Sequence, residues 1–170
     1  MIQQQSHVGL VAWSFALRPE EPSLCNRCLA GEVWRIVREE EKNGHRVLII
    51  AQGEIAEALK KLHMPLAYIV ERHHITGEYL DSREVMAQAA EILMSYGVTE
   101  VIPVANPFLH LRRCRMLVRE FGFMLIERRI RRIGFDKDSL QSWTRGPVRW
   151  VLHEPCVWMY VCLFANKEER

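Results

Sequence analysis

Short, continuous apolar runs alternate along the chain with stretches in which apolar residues recur at helical spacing. Four runs rich in Val, Ile and aromatic residues occupy residues 8–15, 46–51, 66–71 and 100–105. Runs of this length without polar alternation are typical of strands covered on both faces. A fifth run, 123–130, is half polar, which predicts a strand nearer the edge of the sheet.

Amphipathic helices are predicted between these strands. Their patterns cover residues 28–44, 54–62, 81–97 and 108–122. The first ends at Asn43-Gly44, a frequent C-cap pair, and the third begins at Asp81 or Ser82, both good N-caps. The alternation of strand and helix predicts an α/β fold, a Rossmann-like three-layer α/β/α sandwich with a mostly parallel five-stranded sheet. With 170 residues, the chain is expected to form a single domain.

The C-terminal part of the chain is predicted to add an apolar helical segment at about 145–165. Pro155 lies within this segment and should either kink the helix or separate two pieces. Trp143, Trp150 and Trp158 also fall in this region. Such a segment can pack on the sheet as ordinary core, or it can form the interface of a homodimer.

Composition narrows the classes of protein that the chain can be. Hydrophobic residues make up 49% of it and charged residues 26%, which indicates a globular protein. The net charge of +2 gives no reason to expect nucleic-acid binding. Between residues 112 and 132, however, eight arginines accompany only Glu120 and Glu127. This local excess suits a small anionic ligand, and a solvated helix face explains it equally well.

The two ends of the chain predict a cytoplasmic protein without a transmembrane segment. Residues 1–15 lack the basic region and cleavage site of a signal peptide, and the apolar stretch 155–165 is too short to span a bilayer. The number of cysteines, five, is odd, which favours reduced thiols over a disulfide framework.

Polar residues collect where the predicted strands end, at the edge where open α/β sheets bind ligands. Ser14 and Arg27 follow the first strand, and Gln52 and Gly53 follow the second. Glu71, Asp81, Ser82 and Glu84 follow the third strand, and Asn106, His110 and Arg113 follow the fourth. Helix N-termini with arginines can hold a phosphate or carboxylate. We therefore expect Asn106, His110 and Arg113 to form one wall of a ligand pocket, with the other arginines of that helix facing solvent.

Glu71 and His110 are the candidate catalytic residues, because a histidine beside a carboxylate can act as a general acid or base. His110 falls in the first turn of its helix, where the helix dipole favours a neutral imidazole that can serve as base or hydrogen-bond donor. A helix-capping or partly buried structural histidine is an equally good interpretation of this position.

The order of the motifs carries a resemblance to a known family. The stretch "VIPVANPFLHLRRCRMLVREFGF" (101–123) contains a strand, a polar break and His-x-x-Arg on a helix. The stretch "YIVERHHITGEYLDSREV" (68–85) contains a strand that ends in an acid and then a helix opening. Over roughly residues 8–165, the chain resembles a divergent member of the YdcF/SanA/ElyC-like family, domain of unknown function 218. Its tail, "VRWVLHEPCVWMYVCLFA", is similar to the closing helix of that family, which contains Arg and Glu.

The resemblance implies a Rossmann-like domain with a polar pocket in these loops and a link to envelope processes in bacteria. It matches Glu71 to the strand-end acid, His110 and Arg113 to His-x-x-Arg, and Arg27 to the arginine that opens the first helix. The implied ligand is small and anionic or nucleotide-like, with S-adenosylmethionine among the options. The implied reaction is a transfer or a hydrolysis.

The chain departs from the family at its turns, which leaves two functions open. Only Gly53 remains of the glycine-rich turns, and Glu84-Val85 replaces the usual Glu-Asn. The chain is therefore either an enzyme that binds the ligand or a non-catalytic binding or regulatory module that acts through an oligomer or partner interface. A deep pocket holding the candidate side chains would favour the enzyme. A filled pocket with an apolar face would favour the module.

A lesser alternative rests on Cys25 and Cys28, a C-x-x-C motif at a predicted strand-to-helix junction. In a thioredoxin-like redox protein, the helix N-terminus would lower the pKa of the thiol. As zinc ligands, the two cysteines would need two more donors, from His73-His74 or from Cys114. A single C-x-x-C is not specific, and a structural role is the first interpretation.

Overall fold

A computed structural model of the chain describes residues 7–74 and 80–164, apart from the side chains of residues 158 and 160–164. The elements in chain order are β1 (His7–Ala12), α1 (Leu24–Lys42), β2 (Arg46–Gln52), α2 (Gly53–Lys61), β3 (Tyr68–Val70), α3 (Ser82–Ser95), β4 (Glu100–Val104), α4 (His110–Glu120), β5 (Met124–Leu125), a 3-10 turn (Ser142–Arg145) and α5 (Pro147–Phe164). Each strand and helix predicted from the apolar pattern is present. The bounds differ most at the end of β1, at the start of α1 and in β5.

The five strands form one parallel sheet in the order β3-β2-β1-β4-β5. Strand β1 lies between β2 and β4, and its Val8 is in register with Val47 on one side and Glu100 on the other. The predicted Rossmann-like α/β fold is confirmed, and the sheet is parallel throughout. The chain builds outward from β1 to β3 and then returns to place β4 on the other side of β1. The switch point of the sheet therefore lies between the carboxyl ends of β1 and β4.

The central strand is buried on both faces, as its unbroken apolar sequence predicts. Val8, Leu10 and Val11 are 0% exposed. A methyl group placed on Gly9 would lie 2.4 Å from Leu93 Cδ2 of α3. Gly9 therefore gives α3 room at this point, because an alanine would force the Leu93 side chain to shift.

Hydrogen-bonding side chains fix the starts of two helices. Ser23 Oγ accepts a hydrogen bond from the backbone N–H of Asn26 (3.1 Å), so α1 begins earlier than the apolar pattern predicts. Asp81 accepts from the backbone N–H groups of Arg83 (2.8 Å) and Glu84 (2.9 Å), which confirms it as the N-cap of α3.

The chain beyond α4 explains part of the arginine excess. Strand β5 has only two residues and lies at the sheet edge, as its half-polar pattern predicted. Residues 126–141 form neither helix nor strand. Arg128 of this segment donates to the buried Glu40 (2.6 Å), and the backbone of the segment donates to the buried Glu32 (3.2 Å). These contacts use carboxylates of the chain itself rather than those of a ligand.

Helix α5 continues through Pro155, so the proline does not separate two helices. Trp150 and Glu154 on its inner face are buried. The side chain of Trp158 lies outside the described residues. None of the described helices is both long enough and apolar enough to cross a membrane.

Candidate functional site

The carboxyl ends of β1 and β4 form a crevice into which the start of α3 also reaches. The backbone N–H of Trp13 donates to the carbonyl of Val104 (2.9 Å), which continues the pairing of the two strands. The indole Nε1 of Trp13 donates to the carbonyl of Ser82 (3.0 Å). Phe15 and Asn106, which follow the two strands, are buried. This crevice is the position at which Rossmann-like folds bind ligands.

The N-termini of α3 and α4 meet in the crevice. Ser82 is the first residue of α3 and His110 the first of α4, and 3.1 Å separates Ser82 Oγ from His110 Nε2. Arg113, one turn further along α4, donates from Nη2 to Ser82 Oγ (3.2 Å). The structure thus brings together three of the predicted site residues. The positive N-terminus of α4 and the guanidinium of Arg113 favour an anion at this spot, whereas the Asp81 carboxylate already caps the N-terminus of α3.

Glu154 of α5 supplies a negative charge at this spot. Arg113 Nη1 donates to Glu154 Oε2 at 2.8 Å, and the two side chains are only 10% and 2% exposed. Burial raises the pKa of Glu154, while the charge of Arg113 acts in the opposite direction. Each charge is poorly hydrated here and depends on the other, so the pair ties α5 to α4.

Aromatic rings fill the rest of the crevice. The ring centroid of Trp150 lies 4.8 Å from that of Phe15 and 5.9 Å from that of His110. Burial, and secondly the charge of Arg113, lower the pKa of His110 well below its usual value. The imidazole is therefore neutral at neutral pH, as its helix position led us to expect, but burial is the larger cause.

Four polar atoms in this cluster are buried without a hydrogen-bond partner in the described part of the chain. They are His110 Nδ1, Arg113 Nε, Trp150 Nε1 and Glu154 Oε1. Buried polar atoms are normally paired, since leaving one unpaired costs about 1–3 kcal/mol. Their concentration around a single ion pair distinguishes this cluster from ordinary core.

Ser14 and Gln52, two further candidates, contact each other at the ends of β1 and β2. The backbone N–H of Ser14 donates to Gln52 Oε1 (3.0 Å). Gly53 follows as the first residue of α2, and a methyl group placed on it would lie 3.6 Å from Glu71 Cγ, an ordinary contact. The space around Gly53 therefore does not require glycine.

The two candidate catalytic residues are not brought together. Glu71 follows β3 and His110 follows β4, and both β2 and β1 lie between these strands. At about 4.8 Å per strand, β3 and β4 are roughly 14 Å apart, beyond hydrogen-bond reach. Glu71 is exposed whereas His110 is buried. The strand order, which the prediction lacked, places them in different surroundings.

Glu84 organises the chain around the start of α3. Its carboxylate accepts from Gln88 Nε2 (2.8 Å) and from the backbone N–H of His74 (2.9 Å). Burial alone would raise the pKa of Glu84, but these hydrogen bonds and the nearby histidines lower it. Glu84 therefore has a structural role here, as has Asp81, the N-cap.

Asn106 and Arg27 also have local partners. Asn106 Oδ1 accepts from the backbone N–H of Phe108 (3.1 Å) and shapes the turn before α4. Arg27 is exposed on α1 and pairs with Glu21 (3.3 Å). Arg27 thus points to the solvent-exposed start of α1, whereas Asn106 lies in the crevice.

Within the described residues, the surroundings of the C-x-x-C motif do not favour a redox or zinc site. Cys25 Sγ donates to the carbonyl of Gly134 (3.3 Å), and burial raises its pKa to about 11. A redox cysteine requires a lowered pKa. Cys28 is exposed, and Cys114 is buried. Among the residues described, no three His, Cys, Asp or Glu side chains are grouped as a metal ion requires.

Sequence reasoning missed Glu154, Trp150 and Phe15 as residues of the crevice. The available signal was Glu154, the one acidic residue in the apolar sequence of α5. Isolated charges in apolar helices usually have a buried partner.

The outer face of α5 is apolar and exposed. It carries Val148, Val151, Leu152 and Met159. A recess of about 420 Å³ beside it is lined by Ser142, Trp143, Arg149, Leu152 and His153. The rings of Trp143 and His153 are stacked there with centroids 4.6 Å apart.

Comparisons with known proteins find solved structures that resemble this chain but no family that it matches. No family model and no curated protein matches the chain. A protein assigned as a UDP-N-acetylglucosamine 2-epimerase from Listeria monocytogenes is 15% identical over 71% of this chain and 29% of its own, with a TM-score of 0.42. A pyruvate carboxylase from Rhizobium etli is 15% identical over 71% of this chain and 11% of its own, with a TM-score of 0.40. Another UDP-N-acetylglucosamine 2-epimerase is 12% identical over 72% and 32%, with a TM-score of 0.38.

The chain thus spans less than a third of the length of each of these structures. Likeness at this level carries no argument about what the chain binds or does.

Proposed function

We propose that the chain is a non-catalytic binding or regulatory module, in which α5 occupies the crevice that Rossmann-like folds use for ligands. The observation that carries the proposal is the buried Arg113–Glu154 pair. In this pair, a carboxylate of the chain itself binds the arginine that was predicted to bind a ligand. We also propose, from the match at His110 and Arg113, that the module is a divergent relative of the YdcF/SanA/ElyC-like family.

The burial of the candidate residues supports this function. Asn106, His110 and Arg113 are 0%, 4% and 8% exposed. Ser82 is half-buried, but a substrate would have to displace both Trp150 and Glu154 before it could touch the imidazole or the guanidinium. In the closed arrangement these groups belong to the core rather than to a pocket.

We assign the partner surface to the outer face of α5 and the partner to a second copy of the chain. The apolar residues from Val148 to Met159 recur at the three- and four-residue spacing by which helices pack together. A stripe along a helix is self-complementary about a two-fold axis. Of the two charged residues of α5, Glu154 is buried and Arg149 is exposed. Little charge repulsion therefore opposes the pairing of two α5 helices.

Sedimentation equilibrium of the wild type and two variants tests this assignment. Leu152→Glu places a charge on the outer face of α5 at a residue that is 71% exposed. Met94→Glu is the matched control, since Met94 is 59% exposed on α3. We expect the wild type and Met94→Glu to form a dimer with rising concentration and Leu152→Glu to stay monomeric. A wild type that remains monomeric throughout would overturn the proposal.

A second candidate function is a transferase or hydrolase that acts on a small anionic or nucleotide-like ligand after α5 has opened. The contact between the Ser82 hydroxyl and the neutral imidazole of His110 favours it, because such a pair can transfer protons. A thermal-shift screen of nucleotides, S-adenosyl compounds and sugar phosphates tests this function. Stabilisation of the wild type that is lost in His110→Ala would support the enzyme over the module.

A further inference from the structure

We propose that Ser82, His110 and Arg113 form a carboxylate-binding site, that Glu154 occupies it as an intramolecular ligand, and that a free small carboxylate competes with α5 for it. The inference concerns regulation of the proposed module: a ligand that takes the place of Glu154 would release α5. Only the regulatory consequence, the release of α5, rests on the proposed function. The site itself is defined by the contacts of Ser82, His110 and Arg113.

The charge of the site selects an anion. The first residues of α3 and α4 meet at the Ser82–His110 contact; the N-terminus of α4 carries partial positive charge, while the Asp81 carboxylate caps that of α3. Arg113 adds a full charge that is 8% exposed. His110 is neutral and adds no charge, so the guanidinium and the N-terminus of α4 set the preference for an anion.

The fit of Glu154 leaves part of the site unused. A guanidinium can bind a carboxylate through two parallel hydrogen bonds. Here Arg113 gives Glu154 one hydrogen bond, from Nη1 to Oε2 at 2.8 Å. Arg113 Nε and Glu154 Oε1 remain buried without partners, as does Trp150 Nε1. The attachment of the carboxylate to α5 restricts its orientation, whereas a free carboxylate could turn to satisfy more of these groups.

The chemical class of the ligand follows from the group that it replaces. Arg113 is the partner of a planar carboxylate in a buried, mostly aromatic setting formed with Phe15 and Trp150. A small monocarboxylate is desolvated more readily than a doubly charged phosphate. We therefore assign a small carboxylate, and inorganic phosphate serves as a comparison.

Acetate rescue of Glu154→Ala tests the site. This substitution removes from the side chain the atoms of an acetate ion, so acetate can refill the space. We expect sodium acetate to raise the unfolding temperature of Glu154→Ala in a saturable manner. Its apparent Kd should be at least about tenfold lower than in the wild type, where the tethered carboxylate competes at high effective concentration.

The controls separate binding from general salt effects. Sodium chloride and sodium phosphate at equal ionic strength should leave the variant unchanged or shift it less. The double variant Arg113→Met/Glu154→Ala lacks the guanidinium and should not respond to acetate. Equal responses to acetate and chloride, or equal responses of the single and double variants, would overturn the inference.

The wild type provides a second test that does not depend on the folding of any variant. Limited proteolysis within α5 should become faster in sodium acetate than in sodium chloride of equal ionic strength, because acetate competes with Glu154. An identical cleavage rate in the two salts would contradict the competition. Neither assay measures dimerisation, so failure of the proposed partner surface and failure of this site give different results.

Discussion

Arg113 on α4 and Glu154 on α5 form a buried ion pair, 2.8 Å from Nη1 to Oε2, that joins helices whose paired residues lie 41 positions apart in sequence. This contact holds α5 over the carboxyl ends of β1 and β4. Glu154 and Trp150 lie where the sequence predicted a ligand pocket.

Removal of one partner of this pair should destabilise the chain strongly. We expect Arg113→Met or Glu154→Leu alone to lower the free energy of unfolding by about 3–5 kcal/mol, because the remaining charge is buried alone. The double variant should recover much of this loss. Urea denaturation of all four proteins completes the double-mutant cycle. Arg119→Ala is the matched control, since its pair with Glu127 is exposed and should contribute less than about 1 kcal/mol.

The stability of the chain should depend on pH through His110. Its pKa in the folded chain lies well below the usual value, so the unfolded chain takes up a proton that the folded chain does not. This contribution is complete above about pH 6.5 and is lost as the pH falls, by up to about 1.4 kcal/mol per pH unit. The raised pKa of Glu154 acts in the opposite direction, since its contribution is lost as the pH rises through that pKa.

Comparison with His110→Gln isolates the contribution of His110 to the pH dependence of stability. Free energies of unfolding measured from pH 7.5 down to pH 5 should fall less steeply for the variant than for the wild type. Burial lowers the pKa of His153 as well, so this histidine can contribute to the same pH dependence. His153→Gln is therefore the second control, which measures that contribution separately. Parallel pH profiles for the wild type and His110→Gln would show that His110 is not held neutral by the fold.

Two glycine substitutions should have opposite effects. Gly9→Ala would place a methyl group 2.4 Å from Leu93 Cδ2, and we expect a loss of about 1–3 kcal/mol from overpacking. Gly31 lies in α1 with nothing within 4 Å of such a methyl group, so Gly31→Ala should stabilise the chain by about 0.5–1 kcal/mol. Thermal unfolding of both variants gives the comparison. A neutral Gly9→Ala would contradict the expected overpacking and show that the Leu93 side chain shifts without cost.

The two cysteines of the C-x-x-C motif should react differently. Cys28 is exposed, whereas Cys25 is buried and has a pKa of about 11. A thiol reagent at about pH 8 should therefore modify Cys28 rapidly and leave Cys25 unmodified in the folded chain. Peptide mapping by mass spectrometry reads both sites, with urea-unfolded chain as the control. Equal reactivity of the two thiols would restore the redox alternative.

The elements and the fold class were predictable because they depend on local periodicity. The apolar runs at 46–51 and 100–105 became buried parallel strands, and Asp81 became the N-cap of α3. The meeting of Ser82, His110 and Arg113 was also within reach, because residues at the ends of parallel strands share one edge of the sheet.

The closure of the site was not predictable in the same way. It depends on tertiary contacts of α5 with Arg113 and His110 of α4 and with Phe15, and the isolated Glu154 in the sequence does not identify these partners. The segment 126–141 carries the chain to α5 without a helix or strand, so its path leaves no periodic signal. The separation of Glu71 from His110 likewise depends on the strand order, which alternation alone does not fix.

Hydrogen–deuterium exchange of the amides in α5 tests the central claim most directly. If α5 occupies the crevice through Glu154, its amides in the wild type should exchange slowly. In Glu154→Ala they should exchange much faster, while β1 and β4 keep their protection. Fast exchange of α5 in the wild type, or protection that Glu154→Ala leaves unchanged, would contradict the account.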